Sequence, residues 1–105
     1  MAIIFENKSI ESTDTGSRMK FPHRDDVKWT YLPFGCNNPG RCGDLPVIDE
    51  GDNQWTLTIE NKNGQVFFTG GWKAFREKKG ITDRHTISLY RDDEADLYRI
   101  IVGRN

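Results

Sequence analysis

The chain has 105 residues and a formal net charge of −1, the size of one domain, and residues 1-105 are read as a single unit. Only 35% of the residues are apolar, yet three Trp, six Phe and three Tyr make those positions bulky enough for one modest core without metal or disulfide. The composition excludes a membrane-spanning segment, since no run of about 18 apolar residues occurs, and it lacks the basic excess that usually marks a nucleic-acid-binding domain. Met1 to Glu6 carry neither the basic region nor the apolar core of a secretory signal. An intracellular or nuclear location is therefore expected, where disulfides are rare.

In chain order, Ile3-Ile4-Phe5 suggests a first strand, and residues 8–18 form a polar, turn-rich arm. Met19-Lys20-Phe21 alternates as a short second strand that Pro22 stops. Pro22 also suits the first position of a helix, so His23 to Trp29 is expected to make one or two helical turns. Residues 33–44 are dense in Gly, Pro and Asn and read as a surface loop. Leu45 to Asp49 makes a third strand, and residues 50–53 turn the chain.

Trp55, Leu57 and Ile59 then alternate with Thr56, Thr58 and Glu60, the period of a half-buried strand. Asn63-Gly64 signals a tight hairpin, because both positions tolerate positive φ. Val66-Phe67-Phe68 makes the return strand. Gly70-Gly71 allows a sharp turn into a helix in which Trp72, Phe75 and the stem of Lys79 share a face, and Gly80 is placed to end it. His85, Ile87 and Leu89 alternate in a further strand, Asp92 to Asp96 forms an acidic turn, and Leu97 to Val102 is a last apolar strand. About seven short strands, two short helices and tight turns favour a mainly β, barrel-like fold.

The catalytic candidates are poor. Cys36 and Cys42 have no second tight ligand pair, only the remote His23 and His85, so they read as two reduced loop thiols or an incidental disulfide rather than a metal site. The carboxylates cluster in turns, where they stabilise backbone and solubility. Gly70-Gly71 lacks the further residues of a phosphate loop. No enzyme, cofactor or metal is expected. The positive charges are more suggestive. Lys8, Arg18, Lys20 and Arg24 bracket the polar arm, and Lys62 sits at the hairpin tip beside Asn61, Asn63 and Gln65. Arg and Asn on exposed loops can read base edges, although ordinary solvated charge is the plainer account from composition alone.

Ser12-Thr13-Asp14-Thr15-Gly16, Arg18-Met19-Lys20-Phe21-Pro22, Val47-Ile48-Asp49, Trp55 to Ile59, Thr69-Gly70-Gly71-Trp72-Lys73-Ala74-Phe75 and Ile87 to Arg91 occur in an order that covers nearly the whole chain. In this the sequence resembles the plant-specific B3 DNA-binding domain, with Thr-Gly-Gly-Trp-x-x-Phe its most specific element. The ending from Tyr98 to Asn105 looks more like the divergent, reproductive-meristem branch.

The resemblance implies a seven-stranded open pseudobarrel with two short α-helices and two arms that grip the major groove. Carried over by position, the N-terminal arm is Ser12 to Lys20 and the C-terminal arm Thr58 to Val66. Thr13, Ser17, Arg18 and Lys20 are the candidate DNA-binding residues of the first, and Asn61, Lys62, Asn63 and Gln65 those of the second. Arg18 with Asn61 or Asn63 would read base edges. Lys8, Lys20, Lys62, Ser17 and Thr13 would hold phosphates, which position without specifying.

The implied role is sequence-specific binding of double-stranded DNA by a nuclear transcription regulator, with protein partners in a transcription complex. The Cys36 to Cys42 loop looks like an insertion relative to the family, and Glu11, Asp14 and Glu60 are expected to bring negative charge to the arms. That charge and the acidic pI of about 6.1 motivate the alternative, a protein-interaction module on the same fold with weak or lost DNA binding.

Overall fold

The computed structural model describes residues 1–92 and 97–104. The strands are β1 (Ala2–Ser9), β2 (Met19–Lys20), β3 (Gly40–Ile48), β4 (Gln54–Lys62), β5 (Gln65–Phe68), β6 (His85–Asp92) and β7 (Leu97–Arg104), with one α-helix, α1 (Trp72–Lys79). They form one seven-stranded sheet in the order β1-β6-β7-β3-β4-β5-β2. Neighbours are antiparallel except β3 and β7, which run parallel at Val47–Tyr98 and Ile48–Arg99.

Although β1 and β2 are consecutive, they occupy opposite edges of the sheet. The residues that follow β2 close the gap. Phe21 N–H donates to the Val66 carbonyl at 2.8 Å, and Lys28 N–H donates to the Ile4 carbonyl at 2.8 Å. The Phe21 ring packs between Phe5 of β1 (5.2 Å) and Phe68 of β5 (4.7 Å). The sheet is thus an open pseudobarrel whose two free edges are bridged by one irregular segment.

That segment corrects the expected second helix. Arg24–Asp26 and Trp29–Tyr31 are single 3₁₀ turns separated by an extended Val27 (φ −113, ψ 129). The Lys28 amide is committed to β1 and cannot continue a helical ladder, so the turns stay apart. Among the described residues there is one α-helix where two were expected.

The loop expected over residues 33–44 is also shorter. β3 starts at Gly40 and pairs with β4 from Gly40–Asn61 to Ile48–Gln54, with an irregularity between Arg41 and Gly43. A ready-made partner strand overrides the turn-forming composition. Cys36 and Cys42 are joined by a disulfide, which closes the remaining loop. Past Asp92, the expected acidic turn lies outside the described residues.

The hairpin-to-helix segment forms as its pattern predicts. Asn63 (φ 55) and Gly64 (φ 85) make the β4–β5 turn. Gly71 (φ 87) is required twice over, because a Cβ there would also come within 2.3 Å of the Thr56 carbonyl oxygen. Trp72 and Phe75 are fully buried, with ring centroids 6.0 Å apart. Phe68 stacks on Trp72 at 6.4 Å, and Trp55 meets Phe75 edge-on at 5.2 Å. This aromatic chain ties α1 to β4 and β5. Gly80 ends the helix in the left-handed conformation (φ 64), its N–H turned back to the Arg76 and Glu77 carbonyls.

Candidate nucleic-acid interface

A concave cleft of about 930 Å³ opens between β1, the residues after β2 and the tip of the β4–β5 hairpin. Lys20, Arg24 and Lys28 line it with Gln65, as do the acidic Glu6, Glu11 and Asp26. The two predicted arms flank this cleft.

The N-terminal arm is a short 3₁₀ turn, Ser12–Thr15, followed by β2. Its organiser is Asp14, which is 1% exposed. The Asp14 carboxylate accepts from the Glu11 N–H (2.9 Å), the Lys20 N–H (2.9 Å) and Lys8 Nζ (3.0 Å). Two donors from α1 grip the arm's backbone: Trp72 Nε1 to the Asp14 carbonyl at 2.8 Å, and Arg76 Nε to the Gly16 carbonyl at 3.2 Å. Thr13, Ser17, Arg18 and Lys20 remain exposed.

Two expectations are corrected here. Asp14 does not present charge to a ligand, because it is buried and paired. Lys8 is not a free phosphate contact, because the same ion pair holds its ammonium inward, with a side chain 11% exposed. The sequence displays both charges but not that they face each other.

The C-terminal arm divides the same way. Lys62, Asn63 and Gln65 are exposed. Asn61 is 2% exposed, its Nδ2 donating to the Cys36 carbonyl at 2.8 Å and its Oδ1 accepting from the Gly64 N–H at 2.9 Å. It therefore shapes the turn from inside and is corrected from a base-reading candidate to a support. The signal was present in the sequence: the alternation that buries Leu57 and Ile59 buries Asn61 as well. Glu60 accepts from Thr69 Oγ1. Of the three acidic arm residues, Glu11 is exposed, Glu60 half-buried and Asp14 buried.

Strand register decides which of the remaining residues act together. Lys20 lies opposite Phe67, and Lys62 opposite Gln65. Directly paired residues project to one face, and Gln65 and Phe67 are two apart on one strand. Lys20, Lys62, Gln65 and Phe67 thus share the face of the sheet opposite the core, while Met19, Asn61, Val66 and Phe68 point inward. Arg18 joins that outer face, its guanidinium carbon 4.7 Å from the Phe67 ring centroid. In the sequence Phe67 reads only as part of a strand. Its place between Gln65 and Thr69 is the sequence signal that it faces outward.

No group of three or more His, Cys, Asp or Glu that could hold a metal occurs among the described residues. Asp49, 2% exposed, belongs to a separate cluster beneath α1. It binds Lys79 Nζ at 2.7 Å and accepts from Trp55 Nε1 at 2.9 Å and from the Gly51 and Asn53 amides. Burial pushes its pKa up, but these donors outweigh that and hold the carboxyl far below the ordinary range.

The fold is similar to that of the chain in the Arabidopsis FUS3–DNA complex, with a TM-score of 0.74 and 20% identity over 97% of each chain. It is also similar to the hypothetical Arabidopsis thaliana protein At1g16640.1, with a TM-score of 0.61 and 18% identity over 93% of this chain and 88% of that one. No family model and no curated protein sequence matches the chain. The architecture is the B3-type pseudobarrel.

Proposed function

We propose that this chain is a double-stranded DNA-binding domain of a nuclear plant transcription regulator, engaging the major groove with its two arms. The observation that carries the reading is the common face of Arg18, Lys20, Lys62 and Gln65 beside the interstrand cleft, on a fold similar to one solved with DNA. Lys20 and Lys62 supply phosphate contacts, Ser17 and Thr13 add neutral donors, and Arg18 and Asn63 are the base-edge candidates. Removing Asp14 from the list of exposed charges takes away a main objection to DNA affinity. With few cations on that face, the salt slope is expected to be shallow, near −0.9 per phosphate neutralised.

Titration of a random-sequence duplex pool at low and moderate salt tests this. Binding should weaken with salt, and Arg18→Ala and Lys62→Ala should each reduce it, Lys62→Ala lowering the salt slope by about one. Absence of retained DNA at low salt, or retention indifferent to both substitutions, would overturn the reading. That outcome would favour a protein-interaction module instead.

A further inference from the structure

Arg18 differs from Arg24, Arg41, Arg76 and Arg99 in what holds it. Arg24 spends Nη2 on Asn37 Oδ1, Arg41 pairs with Asp44, Arg76 donates to Gly16, and Arg99 pairs with Asp52. Arg18 makes no hydrogen bond or ion pair among the described residues and rests instead on the Phe67 ring. Phe67 is itself anomalous. It sits on the polar face, between Gln65 and Thr69 and opposite Lys20 and Glu60, outside the core cluster yet only 8% exposed. Nearby Glu60 accepts from Thr69 rather than from Arg18.

Stacking uses the flat face of a guanidinium and leaves the N–H donors at its edge unspent. A planar fork with free donors matches two acceptors side by side, and in the major groove guanine offers them as O6 and N7. We infer that Phe67 is a positioning residue that presents the Arg18 fork edge-on to a guanine, so the DNA site this chain selects contains a G·C pair read by Arg18. The inference rests on the DNA-binding reading above. Lysine would keep the charge but neither stack as a plane nor offer a rigid, pre-organised fork.

Selection from a random-sequence duplex pool, run with the wild type, Arg18→Lys, Phe67→Leu and Phe67→Tyr, tests it. The wild type should enrich a site with one dominant guanine. Arg18→Lys should hold the unselected pool at low salt yet lose its preference for that guanine by about 5- to 100-fold. Phe67→Leu should lose about 2- to 5-fold at the same position alone, and Phe67→Tyr, which keeps the ring, should retain it. Substituting 7-deazaguanine, which lacks the N7 acceptor, should weaken the wild type and leave Arg18→Lys unaffected.

Undiminished guanine preference in Arg18→Lys overturns the inference, as does equal loss at every position in Phe67→Leu. A wild type that binds the pool but selects no guanine overturns it and leaves the DNA-binding reading intact. A wild type that retains no DNA overturns both.

Discussion

The indole Nε1 of Trp72 donates to the backbone carbonyl of Asp14 at 2.8 Å, across 58 residues of sequence. This bond joins α1 to the N-terminal arm, and Arg76 adds a second tie at Gly16. The arm is a loop in sequence but a braced element in space.

Trp72→Phe keeps the aromatic packing and removes the donor, leaving a buried carbonyl without its partner. We expect a loss of about 1–3 kcal/mol in urea unfolding. DNA binding should fall further than stability alone explains, because the arm loses its anchor. A variant as stable as wild type would show the bond to be dispensable.

Asp14→Ala removes a negative charge from the arm, and simple electrostatics would expect tighter DNA binding. The structure predicts the opposite. Lys8 would lose its buried partner, and the Glu11 and Lys20 amides their acceptor. Stability should fall by about 3 kcal/mol, with weaker DNA retention measured at a temperature where the variant is still folded.

Asp49 predicts an acid limb in the stability profile. Its ordinary pKa is 3.8, and folding lowers it well below that despite the opposing effect of burial. The unfolded chain therefore takes up the proton first. The stabilisation is fully present above the ordinary value and is lost as pH falls through it towards the folded value. Urea midpoints measured downward from neutral pH should drop along this limb, and Asp49→Asn should flatten it while starting from a less stable protein at neutral pH.

The Cys36–Cys42 disulfide closes a short loop, with a sequence separation of 6, and the Cys36 carbonyl accepts from Asn61. Reduction should cost about 2 kcal/mol by the loop-entropy account. It should also speed hydrogen exchange at the Gly64 amide, which depends on Asn61 Oδ1. Asn61→Ala should speed the same exchange without altering which DNA sequence is selected. A changed selected sequence in that variant would return Asn61 to the base-reading set.

Much of the architecture was legible because it is written in short-range pattern. Alternation located β4 and β6, Asn63-Gly64 located the turn into β5, and the Trp72 to Gly80 pattern located α1 with its observed ends. The misreadings came where a distant partner outvoted local composition. Lys28 bonds β1 and so stops a second helix, and β4 draws Gly40 to Asp44 out of their expected loop. In the candidate site, exposure of Arg18, Lys20, Lys62, Asn63 and Gln65 agreed with the reading from sequence, whereas Lys8 and Asn61 turned inward.

By itself, then, the sequence determined strand and turn periodicity, the helix from Trp72 to Lys79 and the residue types available on two arms. The tertiary structure alone decided which charges were consumed internally, which side chains share a face, and that Arg18 lies on Phe67. The reason is physical. Periodicity is a property of neighbours along the chain, but the pairing of Asp14 with Lys8, or of a guanidinium with a ring 49 positions on, exists only once the sheet has closed.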